Sequence, residues 1–169
     1  TRIRRLPFPP KVIVPLSQHI GKVPHAIVKA GQEVVRGEPI ARTEDWLSVP
    51  HHAPVTGVVE FVGLRPGVRG TWVESIVIRA HPGATQEDLW GRPRDLSTAS
   101  GGDILQAIWD SGMVGLGGAA FPTHAKLTVP KQSKVHTLVV NGCECEPYLT
   151  CDHRVMVEQA DDLLIGIRY

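Results

Sequence analysis

Proline and glycine cut the first 95 residues into pieces too short for anything but strands. Eleven of the fourteen prolines and nine of the seventeen glycines lie there. Between them sit apolar, β-branched runs: Val12–Val14, Ala26–Val28, Gly57–Val62 and Val73–Ile78. Short strands separated by turn residues predict a compact all-β module over residues 1–95. Past Asp95 the period changes. Asp103–Asp110 carries Ile104, Leu105, Ile108 and Trp109 at helical spacing. Val135–Val140 is a short apolar run that predicts a buried strand, and Val155–Tyr169 predicts an amphipathic helix. Residues 96–169 therefore predict an α/β layout, reached through a polar linker, Pro82–Ser100. The chain opens with a basic, proline-rich stretch, Thr1–Pro10, and closes on a helical pattern without a stop signal. Both ends set the expectation of a piece of a longer protein.

Composition excludes several classes. With 42% hydrophobic and 21% charged residues, the chain can fill a core, which excludes disorder. A net charge of +1 lacks the basic excess of a dedicated nucleic-acid binder. No run approaches the roughly 18 apolar residues needed to cross a bilayer, and the N-terminus has no signal-peptide core. Three cysteines do not make a disulfide scaffold, so a reducing, cytoplasmic-facing compartment is expected.

Residues 31–62 carry a rhythm of turn glycines and core valines. Gly31-Gln-Glu-Val34 is followed by Gly37-Glu-Pro-Ile40 and by Ala53-Pro-Val-Thr-Gly57-Val58-Val59. The glycines suit turns that need positive φ, and the aliphatic residues suit a core. The run resembles the biotinyl/lipoyl carrier fold, a small flattened barrel in which a hairpin lysine carries the cofactor. Here that hairpin reads Arg42-Thr-Glu-Asp-Trp46-Leu-Ser and has no lysine. Arginine cannot form the amide, so the fold is expected without the swinging arm. His51-His52, just before Ala53-Pro54, is read as two polar loop residues. Adjacent strand side chains point to opposite faces and rarely share a metal ion. His19 and His25 receive the same reading.

The strongest signal is Gly112-Met-Val-Gly115-Leu-Gly117-Gly118-Ala119-Ala120-Phe121-Pro122-Thr123. Small residues let a ligand approach the backbone, and successive N–H groups can cradle a phosphate. Thr123 is expected to cap a short helix carrying Lys126, whose ammonium suits a phosphate or a ring oxygen. The loop matches G-x-G-x-x-A literally. A helix precedes it, however, and Pro122 interrupts the segment that should be helical, so an ordinary dinucleotide fold is rejected. A second signal comes after the apolar run: Asn141-Gly-Cys143-Glu144-Cys145-Glu146-Pro147-Tyr148. In open α/β sheets ligands sit beyond strand carboxyl ends. Asn141 can both donate to and accept from a heterocycle edge, and Glu144 and Glu146 can accept from hydroxyl or amide groups. A tight helix connection and a solvated acidic turn are the plain alternatives.

Together the two loops carry a resemblance. Gly115 through Leu127, then Asn141-Gly-x-Glu144-x-Glu146-Pro147-Tyr148-x-Thr150-x-Asp152-x-Arg154, is similar to the RnfC subunits of the Rnf electron-transport complexes. More distantly it resembles the flavoprotein subunit of respiratory complex I. The early Pro15-Leu-Ser-Gln18-His19-Ile20-Gly21 and the carrier-like barrel also occur in RnfC. The resemblance implies an α+β protein: an all-β barrel-sandwich hybrid over 1–95, then the start of an α/β FMN/NADH-binding domain over 96–169. It implies flavin contacts from Gly115, Gly117, Gly118, Ala119, Lys126, Asn141 and Glu144. Phe121 and Glu146 fall on the NADH side. Cys143 and Cys145 replace an Asp and a Gly of the complex I loop. Hydride transfer from NADH to FMN would need no catalytic acid or base from the protein.

Iron–sulfur clusters are expected only in the full-length protein. Cys143, Cys145 and Cys151 are one thiolate short of a 4Fe–4S ligand set and wrongly spaced, so no metal site is assigned. The implied partners are other Rnf subunits, NADH and ferredoxin or another carrier, at the cytoplasmic face of the inner membrane, coupled to ion translocation. The other reading is a non-catalytic docking and assembly module of the same complex.

Overall fold

The computed structural model describes residues 2–68, 70–88, 90–91, 95–130 and 132–169. Thr1 and part of the expected linker lie outside the described residues. The element order is β1 (Lys11–Pro15), β2 (His25–Ala26), β3 (Glu33–Val34), β4 (Pro39–Arg42), β5 (His51–His52), β6 (Gly57–Pro66), β7 (Trp72–Ala80), α1 (Gly101–Asp110), α2 (Thr123–Leu127), α3 (Cys151–Glu158) and α4 (Ala160–Arg168). By contacts the chain forms two units, Phe8–Thr128, and Thr1–Pro7 with Val129–Tyr169. The compositional boundary near residue 95 falls inside the first, because side chains at the end of α1 and the start of α2 are bonded to barrel carbonyls.

Two sheets make the barrel of the larger unit. One is antiparallel with order β1-β7-β6-β3, the other antiparallel with order β2-β4-β5. Alternation along β7 sends Ile76, Ile78 and Ala80 inward. They meet Val14, Leu16, Val34, Ile40, Val55 and Val59, which close the core. The β6–β7 pairing slips by one between Val59 and Phe61, the mark of a bulge. Gly31 and Gly37 take the positive φ expected of turns, +85° and +88°. Gly57 instead allows close strand approach: a Cβ there would lie 2.1 Å from the Arg79 carbonyl oxygen.

The histidine pair is a strand and not a loop. Pairing with Pro39 and Ala41 across an irregular register draws it into the second sheet as β5. His51 is buried and His52 half-buried, on opposite faces. The expected linker is partly fastened: the Arg36 guanidinium donates to the Gln86 carbonyl, and the Gln86 side-chain oxygen accepts from the Thr56 N–H at 2.8 Å. α1 starts two residues before the expected point. Ser100 and Asp103 form a reciprocal capping box that fixes its first turn despite Gly101 and Gly102.

The smaller unit corrects two expectations. Val135–Val140 forms no strand; among the described residues nothing pairs with it, and Val135, Leu138, Val139 and Val140 are exposed. A strand needs a partner for its backbone groups, and an apolar run alone does not supply one. The terminal helix begins earlier, at Cys151, and breaks at Gln159 (φ −130°, ψ 35°) into α3 and α4. The Ile3 N–H donates to Glu158 at 3.0 Å, and Arg154 pairs with the same carboxylate one turn away. No helix among the described residues is long and apolar enough to cross a membrane.

This packing sets two expectations for stability. Ile78→Ala leaves a cavity at the centre of the core and is expected to cost about 2–5 kcal/mol in chemical denaturation; a loss under about 1 kcal/mol would contradict the assigned core. The second concerns pH. Burial, assisted by the charges of His19 and His52, lowers the His51 pKa from 6.5 to about 4. Between these values the unfolded chain binds the extra proton and the folded chain does not. Stability is therefore full above pH 6.5 and falls as the pH drops toward 4. The wild type should lose up to about 3 kcal/mol more than His51→Gln across that window. Parallel pH profiles of the two proteins would refute this.

Candidate functional site

The glycine loop lies in the larger unit and is closed like a small hairpin. Val114 bridges Pro122, the Gly115 N–H donates to the Phe121 carbonyl at 2.9 Å, and the Thr123 N–H donates to the Met113 carbonyl at 3.0 Å. Those two amides close the loop and leave Leu116–Ala119 at its tip. Gly118 has a φ of +108°, and a Cβ there would meet nothing within 4 Å. The loop is thus both strained for any L side chain and open to an incoming group at that point. Ala120 also has positive φ, +49°, and its carbonyl accepts from the Ile20 N–H at 3.2 Å, which ties the tip to the barrel.

Lys126 folds back over this loop. Its Nζ lies 3.5 Å from where a Cβ on Gly115 would be. Thr123 is not the cap of α2 but its first residue; Pro122 takes the cap position and offers no side-chain bond. With five residues α2 adds little dipole, so positive charge at the loop comes from the Lys126 ammonium. Phe121 is half-buried beside it. A helix, α1, precedes the loop, as the rejection of a dinucleotide fold requires.

The acidic loop lies in the smaller unit. Asn141 turns its side-chain oxygen onto the Cys143 N–H at 2.9 Å, a local Asx turn. Gly142 packs so tightly on Met156 that a Cβ would lie 2.7 Å from the sulfur. Glu144 caps α3: one oxygen accepts from the His153 N–H at 3.0 Å, the other from the Cys151 thiol at 3.2 Å. These bonds hold its carboxyl below the usual range and push the Cys151 thiol up. Glu146 is exposed, and Tyr148 has a φ of +69° with its ring fully exposed. All three cysteines are exposed and lie outside any disulfide. Glu144, Cys151 and Asp152 bring donor atoms within 4.8 Å of one another.

A cavity of about 650 Å³ lies elsewhere in the larger unit and is lined by none of the nine candidate residues. Arg42, His52, Trp90 and Trp109 contribute to its walls. Burial holds His52 below its ordinary pKa, against a hydrogen bond to the Asp110 carbonyl and the charges of Asp88 and Asp110.

Residues that seat the glycine loop have no motif to reveal them. Trp109 Nε1 donates to the Ser48 carbonyl at 2.8 Å, and His124 Nε2 donates to the Trp46 carbonyl at 2.7 Å. Trp109 reads as one member of an apolar helix face; its indole N–H, which needs a partner when buried, is the available signal. His124 stands alone in the sequence near a proline, and nothing marks it.

Comparison with known proteins agrees with this layout. The family described as RnfC Barrel sandwich hybrid domain matches residues 1–82, and that described as Nuo51 FMN-binding domain matches residues 108–169. Among relatives, the C subunit of the Na(+)-translocating ferredoxin:NAD(+) oxidoreductase complex of Acetobacterium woodii is 41% identical, covering 95% of this chain and 36% of the relative. The C subunit of the ion-translocating oxidoreductase complex of Rhodobacter capsulatus is 39% identical over 98% of this chain and 32% of its own length. That of Haemophilus influenzae is 34% identical, over 98% and 20%. The chain thus spans between a fifth and about a third of the length of these curated relatives. With a barrel that matches the RnfC barrel sandwich hybrid domain, a glycine loop inside the segment that matches the FMN-binding domain, and relatives aligned through both, the chain belongs to the RnfC family.

Proposed function

We propose that this chain supplies the glycine loop and the acidic loop of an FMN site in an RnfC-type subunit that takes electrons to or from NADH. The observation that carries the reading is Lys126, folded over a glycine loop whose Gly118 is open. An ammonium beside backbone that a ligand can approach fits the phosphate of a flavin mononucleotide. Gly115, Gly117, Gly118, Ala119 and Lys126 hold that end. Asn141 and Glu144 serve the flavin, with the Glu144 carboxylate using lone pairs beyond the two that cap α3. Phe121 and Glu146 face the nicotinamide nucleotide.

Bound FMN supplies the exchange between two-electron and one-electron chemistry; the residues bind and orient it. Iron–sulfur clusters outside this chain, ferredoxin or another carrier, and the remaining subunits complete the route, coupled to ion movement. The subunit sits peripherally on the cytoplasmic face. A docking and assembly role is the second reading. It is favoured by the exposed apolar side chains of the smaller unit, among them Leu138, Val139 and Tyr148.

Titration with FMN, monitored by flavin fluorescence, separates the two. Saturable binding is expected. Gly118→Val, which cannot adopt the +108° φ, is expected to weaken it about tenfold or more, and Lys126→Met and Glu144→Ala to weaken it severalfold. A chain that stays folded by circular dichroism yet binds no FMN would favour the docking role.

A further inference from the structure

The glycine loop is bracketed by two residues that reach the same place. Trp109, at the end of α1, and His124, at the start of α2, both donate to the β4–β5 hairpin tip, to the carbonyls of Ser48 and Trp46. A carbonyl only accepts, so His124 Nε2 carries the proton. The Trp46 ring meets His124 edge-on at 5.4 Å, and the Trp109 ring lies 5.9 Å from it. His124 is 3% exposed. The tip is itself braced from behind. The Ser48 hydroxyl donates to the Lys22 carbonyl at 2.6 Å, and a Cβ on Gly21 would lie 1.4 Å from the Leu47 carbonyl oxygen. At the loop's entry, a Cβ on Gly112 would lie 2.4 Å from the Pro50 carbonyl oxygen.

We infer that the hairpin tip Trp46–Ser48 is the seat of the glycine loop, and that His124 and Trp109 are positioning residues for the flavin phosphate. The inference rests on the proposed FMN site and adds the barrel's part in it. Lys126 is two residues from His124, so the bond that holds His124 anchors the short helix from which the Lys126 side chain reaches toward Gly115. The barrel keeps the hairpin of a carrier and uses its backbone carbonyls as an anvil, where a carrier uses a lysine side chain. The recognised group is the phosphate; the isoalloxazine ring lies outside what this contact controls.

The test titrates the chain and its variants with FMN and with riboflavin, which lacks the phosphate. His124→Ala is expected to weaken FMN about tenfold and riboflavin less than about twofold. His124→Gln, whose amide can still donate to the Trp46 carbonyl, is expected to recover most of the FMN affinity. Trp109→Phe, which keeps a ring and removes the N–H, is expected to act like a milder His124→Ala. Equal losses for both ligands, or no recovery in His124→Gln, would overturn the inference, since a general loss of structure would act on both flavins alike. Amide hydrogen exchange keeps it separate from the FMN reading. If the wild type binds no flavin, that reading fails, and the seat is judged by exchange alone. His124→Ala must then speed exchange at the Gly115 and Thr123 N–H groups while leaving the Ile78 N–H unchanged. Unchanged exchange at Gly115 and Thr123 would overturn it.

Discussion

The larger unit depends on the inner face of β7. Ile76, Ile78 and Ala80 stand on one side of a strand that is paired along both edges, with β1 and with β6. Each buried aliphatic side chain removes apolar surface from water, worth roughly 1.5–3 kcal/mol per large residue before entropy is counted. Because both neighbours are set by backbone bonds to β7, the same burial fixes where β3 lies and how the second sheet closes over the core. The β4–β5 hairpin is held in that second sheet, and its tip carries α1 and α2. The position of the glycine loop is in this sense inherited from the core.

The barrel is legible in the sequence because its signals are local. Runs of Val and Ile between prolines fix strand identity, and the turn glycines at 31 and 37 carry the positive φ their spacing implies. His51 and His52 read as loop residues because pairing with β4 is a tertiary event with no trace in two polar letters. Val135–Val140 shows the same limit from the other side, since apolar character without a pairing partner does not make a strand. In the candidate site, the loops and Lys126 stand out by composition. Their support does not: the bonds from Trp109 and His124 end on the backbone carbonyls of Ser48 and Trp46, which any residue offers, and Glu144 closes a helix start that its neighbours do not announce.

The absent lysine takes on a structural meaning here. In the carrier fold the hairpin tip presents a lysine. In this chain residues 46–48 are gripped on one side by Gly21 and Lys22 and on the other by Trp109 and His124. A tip held at that many points is a fixed contact surface, and residues 42–48 carry no primary amine.

The bare stretch Val135–Val140 has a further consequence. It is rich in valine, carries no acidic residue and no proline, and among the described residues has no strand beside it. Such a segment is a template for edge-to-edge pairing between chains, the first step toward ordered aggregates. Lys134 stands at its head as a charged gatekeeper, and the turn-forming Asn141-Gly142 closes its tail, so the hazard is confined to the residues between them. On this reasoning the segment between Lys134 and Asn141, and not the paired strands of the barrel, is where contact between chains would begin.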